Sequence, residues 1–123
     1  MKNLLVLDDD SELRKVYSAI LKRQGFSVQA PTPTNDIKGL IRENNPDLIV
    51  INHLMRGING GELCLSVKNN PKTEHIPVII LTDYDRATPN TRVYDCDLFL
   101  PKSITFDAFI NQVNNLLKHK TPY

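Results

Sequence analysis

Four short apolar runs that do not alternate constrain this chain more than anything else in it. They are Leu4-Leu5-Val6-Leu7, Leu48-Ile49-Val50-Ile51, Val78-Ile79-Ile80-Leu81 and Leu98-Phe99-Leu100. A strand with one wet face alternates apolar and polar residues. An unbroken run is covered on both faces, which is the condition of a parallel sheet with helices above and below. A weaker run, Phe26-Ser27-Val28-Gln29-Ala30, alternates and suits an edge strand.

The segments between the runs carry the helical period. Leu13, Val16, Tyr17, Ile20 and Leu21 form one stripe, with Asp10 or Ser11 as N-cap and Gly25 as the stop. Ile37, Leu40 and Ile41 form a second that closes before Asn45-Pro46, and Leu63, Cys64 and Val67 a third that ends at Asn69-Asn70-Pro71. The longest holds Phe106, Phe109, Ile110, Val113, Leu116 and Leu117, with Thr105 or Ser103 as its cap. The stretch from Thr82 to Cys96 is polar and contains Pro89, so a short, broken fourth helix anchored by Val93 and Tyr94 is expected. Strands alternating with single helices imply right-handed crossovers and one doubly wound α/β domain.

A length of 123 residues, 41% of them hydrophobic, suits one core that folds without disulfides or metal. Fifteen basic against fourteen acidic residues give a net charge of +1, so no bulk electrostatic footprint for nucleic acid exists. The apolar run after Met1-Lys2-Asn3 stops at Asp8, too short for a signal core or a membrane span. Cys64 and Cys96 lack metal-type spacing and read as reduced core thiols of a cytoplasmic protein.

In an open doubly wound sheet the functional crevice lies beyond the carboxyl ends of the strands. Asp8, Asp9 and Asp10 follow the first run, Asn52 and His53 the run ending at Ile51, Thr82 the run ending at Leu81, and Lys102 follows Leu100-Pro101. Neighbouring carboxylates repel unless a cation lies among them, and oxygen ligands suit a hard ion such as magnesium. Asp10 reads as a helix cap, whereas Asp8 and Asp9 read as site residues. Side chains alternate along a strand, so His53 should turn away from Asp8 and Asp9 and sit at a partly exposed strand end. His75 and His119 read as solvated.

Five fragments in order, Leu5-Val6-Leu7-Asp8-Asp9-Asp10, Pro46-Asp47-Leu48-Ile49-Val50-Ile51-Asn52, Leu54-Met55-Arg56-Gly57-Ile58-Asn59-Gly60, Ile76-Pro77-Val78-Ile79-Ile80-Leu81-Thr82 and Leu100-Pro101-Lys102, resemble the receiver domain of two-component response regulators. The resemblance implies a flavodoxin-like (CheY-like) five-stranded parallel sheet of order 2-1-3-4-5 with helices on both faces. It implies one receiver domain over residues 1–120 and a tail or linker stub at 121–123. It also assigns roles. Asp8 and Asp9 match the acidic pair that holds magnesium, Thr82 the hydroxyl that bonds the phosphoryl group, and Lys102 the ammonium that pairs with it. Phe99 matches the aromatic whose rotamer reports activation.

Asn52 stands where the family carries its phosphoacceptor aspartate. An amide is neutral and only weakly nucleophilic, so phosphorylation at 52 is closed and magnesium binding should be weak at most, with no cofactor required. Further departures are Arg56 for a proline, Asn59 for an aspartate, Asp95-Cys96 for a glycine-alanine pair, and Ser103 where a proline usually follows the lysine across a cis bond. Lys102-Ser103 should be trans, since a cis bond before a non-proline costs about 3–4 kcal/mol. In the metal-free site, Lys102 and the Asn52 NH2 are the groups expected to relieve repulsion between Asp8 and Asp9.

These features favour a degenerate receiver domain that is not an enzyme and acts through phosphorylation-independent protein contacts. The expected output face is built from the fourth helix, fifth strand and fifth helix, and includes Tyr94 and Phe99. Its partners would be a histidine kinase, another receiver, an effector domain or a second copy of the chain, with no direct role for nucleic acid or membrane. An ordinary phospho-receiver carrying an acceptor Asp-to-Asn substitution is the alternative. A small-ligand-binding flavodoxin-like module is weakened by the absence of a glycine-rich phosphate loop.

Overall fold

A computed structural model describes residues 1–83 and 94–118. Five strands, β1 (Asn3–Leu7), β2 (Ser27–Gln29), β3 (Leu48–Asn52), β6 (Val78–Thr82) and β7 (Leu98–Pro101), form one parallel sheet of order β2-β1-β3-β6-β7. The four unbroken runs are the inner strands and the far edge, and the alternating run is the β2 edge. Two short strands, β4 (Leu54–Met55) and β5 (Ile58–Asn59), pair antiparallel just beyond β3. That small hairpin was not foreseen. Gly57 turns it at φ 70°, a backbone value that L side chains seldom adopt.

The helices are α1 (Ser11–Arg23), α2 (Ile37–Asn44), α3 (Gly60–Lys68) and α4 (Phe106–Lys118). Helix α4 is the last of the helical segments read from the sequence. Residues 84–93 of the expected fourth helix, Pro89 and Val93 included, and residues 119–123, with His119, lie outside the described residues. The N-caps fall where short polar side chains precede the stripes. Asp10 accepts from Glu12 and Leu13, Asn59 from Gly61 and Glu62, and the Thr105 hydroxyl from Ala108. Gly25, at φ 93°, lets the chain turn out of α1 into β2.

Strand alternation divides the interior into two cores. Leu5, Leu7, Ile49, Ile51, Val78 and Ile80 face α2 and α3, meeting Ile37, Leu40, Leu63, Cys64 and Val67. Leu4, Val6, Leu48, Val50, Ile79 and Leu81 face α1 and α4, meeting Tyr17, Leu21, Phe109, Ile110 and Val113. Two stripe positions lie at the margin. Val16 is 40% exposed, and Phe106 is 50% exposed while offering an edge to the Tyr17 ring. Cys64 and Cys96 are free buried thiols, and burial pushes them up to about 12 and about 11.

One loop is stapled from within. The Asp97 carboxylate accepts from the Val78 amide at 2.7 Å and pairs with Lys68 at 2.8 Å, and Lys68 also donates to the Ile76 carbonyl at 2.7 Å. The main chain is trans at Lys102-Ser103, as its cost requires. Asp95 adopts φ 56°, and aspartate is one of the few side chains that tolerates that region.

Candidate functional site

The parallel register brings the polar residues to one end of the sheet. Leu7 pairs with Ile51 and Asn52 with Leu81, so Asp8 and Asn52 leave adjacent strands side by side. Asp8 is 2% exposed and Asn52 6% exposed. The Asn52 amide nitrogen lies 3.2 Å from one Asp8 carboxylate oxygen, 3.4 Å from one of Asp9 and 3.4 Å from the Leu54 carbonyl. A single amide group therefore donates into the gap between two carboxylates.

Main-chain donors complete the neutralisation. The Asp10 amide donates to Asp8 at 2.9 Å and the Arg56 amide to the second oxygen of Asp9 at 2.9 Å. The Arg14 guanidinium donates to the Asp8 carbonyl at 3.1 Å. Burial still raises the Asp8 carboxyl above its ordinary range, against the Asp10 amide and the Lys102 charge, which pull it down.

Asp9, Asp10, Asn52, Leu54, Arg56, Asp83 and Lys102 line an open cleft of about 470 Å³ at this end of the sheet. Lys102 reaches it, but the carboxylate it approaches is that of Asp83, at a loose 4.0 Å, rather than Asp8 or Asp9. The Asp83 side chain is largely exposed, so the pair contributes little to stability. Of the two groups expected to relieve the acidic pair, the Asn52 amide makes the contact and Lys102 acts on Asp8 at longer range. Asp10, read as a cap, both caps α1 and lines the cleft. Arg56 and Asp83 were not among the site residues read from the sequence. Their signal was position alone, in the loop after β3 and directly after Thr82.

No group of three or more His, Cys, Asp or Glu side chains that could hold a metal ion occurs among the described residues. Asn52 also turns its NH2, not its carbonyl, toward the carboxylates. Asp8 and Asp9 are the residues that would hold magnesium, with the Asn52 carbonyl available after an amide rotation.

Thr82, at the end of β6, is 2% exposed and points elsewhere. Its hydroxyl lies 3.2 Å from Nδ1 of His53, and Nε2 of that ring lies 3.3 Å from the Tyr94 hydroxyl. His53 does turn away from Asp8 and Asp9, but it is 6% exposed instead of sitting at an open strand end. Tyr94 and Phe99 close over it, and strand alternation alone could not show that. Burial lowers the His53 pKa below the usual imidazole value. Phe99 is buried and Tyr94 half-buried, so of the two expected output-face residues only Tyr94 presents surface.

An acidic pair at the end of the first strand, Asp8 buried and Asp9 exposed, Thr82 and Lys102 at the ends of β6 and β7, and a β2-β1-β3-β6-β7 sheet form a combination that known proteins share. The profile of the response regulator receiver domain matches residues 4–114. The chain belongs to the response regulator receiver domain family. It is 26% identical over 121 residues to response regulator MprA of Mycolicibacterium vanbaalenii, covering 97% of this chain and 52% of that protein. It is 37% identical over 82 residues to the transcriptional regulatory protein AfsQ1 of Streptomyces coelicolor, covering 67% of this chain and 35% of that protein. The chain thus matches about a third to a half of the length of these relatives.

Among solved structures, the receiver domain of the Francisella response regulator 1452 superposes with a TM-score of 0.86 at 26% identity, covering 98% of this chain and all of that one. Response regulator TrrA of Thermotoga maritima, solved in complex with Mg2+-BeF, gives 0.83 at 25% identity, covering 94% and 99%. Receiver domains are signalling domains, and response regulators work with histidine kinases and effector domains. Among the described residues no helix is long and apolar enough to cross a membrane.

Proposed function

We propose that this chain is a degenerate receiver domain, one that signals through protein contacts without being phosphorylated at position 52. The observation that carries this reading is the Asn52 amide, donating to Asp8 at 3.2 Å and Asp9 at 3.4 Å. An aspartate there would put a third carboxylate beside two that already repel, and the site would need a cation to hold together. The amide instead satisfies the pair from within. It also lacks an anionic oxygen, and its carbonyl is too weak a nucleophile to take a phosphoryl group.

Residues 1–120 act as one domain in this reading, and 121–123 form its tail. Magnesium binds weakly through Asp8 and Asp9 and is not required. The contact surface is the half-buried Tyr94, supported from beneath by Phe99, together with the outer side of α4. A histidine kinase, another receiver, an effector domain or a second copy of the chain would meet it there.

The second reading is an ordinary phospho-receiver changed only at its acceptor. Asp8, Asp9, Thr82 and Lys102, all present at the strand ends, favour it. Asp95 in a glycine's backbone region, together with Arg56 and Ser103, weighs against it. Intact-mass spectrometry after incubation with acetyl phosphate and magnesium tests the proposal. The mass should not change, whereas a stable gain of one phosphoryl group would overturn the degenerate reading.

A further inference from the structure

His53 closes a chain of side-chain contacts from the interior of the site to the surface. Its Nδ1 lies 3.2 Å from the Thr82 hydroxyl and its Nε2 3.3 Å from the Tyr94 hydroxyl. A neutral imidazole has one donor and one acceptor, and a hydroxyl can serve either, so both contacts can form in either tautomer. The ring is held on its other sides as well. It meets Phe99 edge-on at 5.0 Å and 83°, and Tyr94 at 5.4 Å and 65°. Tyr94 stacks on Phe99 at 6.2 Å and 21°. The Tyr94 ring also lies so close to α3 that a Cβ on Gly61 would fall 2.5 Å from it.

The anchor is the sheet itself. The His53 amide donates to the Leu81 carbonyl at 2.8 Å, and the His53 carbonyl accepts from Gly60 at 2.6 Å. Backbone and ring are therefore both fixed, and Tyr94 is the outermost member of the chain.

We propose that His53 is a positioning residue, a hydrogen-bonded tether through which the Thr82 hydroxyl sets the place of the surface ring Tyr94. The proposal deepens the receiver reading of Thr82 and names the residue at which the state of that hydroxyl is displayed. With Asn52 in place the cleft does not change state by phosphorylation, so the tether holds the Tyr94 surface constant for a partner.

The test uses the full chain labelled with fluorotyrosine, in which the Tyr94 resonance is assigned by Tyr94→Phe. Thr82→Val should move that resonance by more than its linewidth in the wild-type background. The same change should move it by less than a linewidth in a His53→Phe background, where ring packing is kept but neither hydrogen bond can form. An equal shift in both backgrounds, or none in the wild type, overturns the tether. A second measurement stands if His53→Phe does not fold. In ring-15N spectra of His53, Thr82→Val should move mainly Nδ1 and Tyr94→Phe mainly Nε2, and an unmoved Nε2 on Tyr94→Phe overturns the proposal. Neither experiment involves phosphate or metal, so a phosphoryl adduct at the cleft would sink the degenerate reading and leave this result to be judged separately.

Discussion

Asn52 and His53 are neighbours on one strand end, yet they belong to opposite environments. Asn52 faces an open cleft whose mouth is charged, with Asp9, Asp10, Asp83, Arg56 and Lys102 around it. His53 faces a closed pocket of Thr82, Tyr94 and Phe99. Burial acts on both sides in the same sense, raising the Asp8 carboxyl and lowering the His53 imidazole, so each inner group is pushed toward its neutral form. What differs is the source of order. The cleft is held by hydrogen bonds to charge, and the pocket by ring packing and hydrogen bonds among neutral groups.

Two adjacent glycines at the start of α3 separate these kinds of order most sharply. A Cβ on Gly60 would collide with the Asn52 carbonyl oxygen and fall 2.7 Å from the Ile51 methyl, in the rigid strand shared by both sides. The three atoms nearest a Cβ on Gly61 all belong to the Tyr94 ring. Gly60→Ala should therefore cost about 3 kcal/mol, and Gly61→Ala about 1 kcal/mol because Tyr94, half-buried, has room to move outward. Urea melts decide it. If Gly61→Ala proves the costlier, the aromatic pocket is the rigid side and the contrast is reversed.

The next largest effect is expected in the cleft. Hydrogen bonds to charged groups contribute about 1.5–3 kcal/mol, and Asn52→Asp replaces two of them with like-charge repulsion. In chelator the variant should be less stable than wild type by at least about 1 kcal/mol. Excess magnesium should restore it, and direct titration should show tighter magnesium binding than in wild type. Equal melts in chelator would mean that the amide does not replace the ion. Equal titrations would mean that charge count does not limit metal binding.

The two sides were not equally legible in the sequence. The sheet was plain, because Leu48–Ile51 and Val78–Leu81 are apolar on both faces and only a covered parallel strand wants that. The cleft was readable too, since Asp8-Asp9, Asn52 and Lys102 stand at the carboxyl ends of strands. Helix margins were not, because a 3.6-residue period does not say how far the neighbouring layer extends over Val16 or Phe106. The pocket around His53 was the least legible. Its burial depends on Tyr94, 41 residues away, closing over the strand end. Gly61, whose missing side chain allows that close approach, was the one local sign of it.

The smallest expected effect concerns protonation of that pocket. Burial holds the folded-state pKa of His53 below the ordinary imidazole value, so the folded chain resists a proton that the unfolded chain accepts. By linkage, stability rises with pH wherever the unfolded state binds more protons. The His53 contribution is thus fully present above about pH 6.5, the ordinary imidazole value, and is lost as the pH falls from there through the lowered folded-state value. Asp8 has the opposite sign. Its raised pKa favours folding below its ordinary range, and that contribution is lost as the pH rises through the raised value. Comparing wild type with His53→Phe cancels Asp8, His75 and His119, which both chains share. The difference in stability between the two, followed by urea melts across mildly acidic pH, should shift in favour of His53→Phe as the pH drops. A difference that stays flat across that range would mean the imidazole is not excluded from charging. The pocket would then be as wet as the cleft, and the contrast between the two ends of Asn52 and His53 would rest on packing alone.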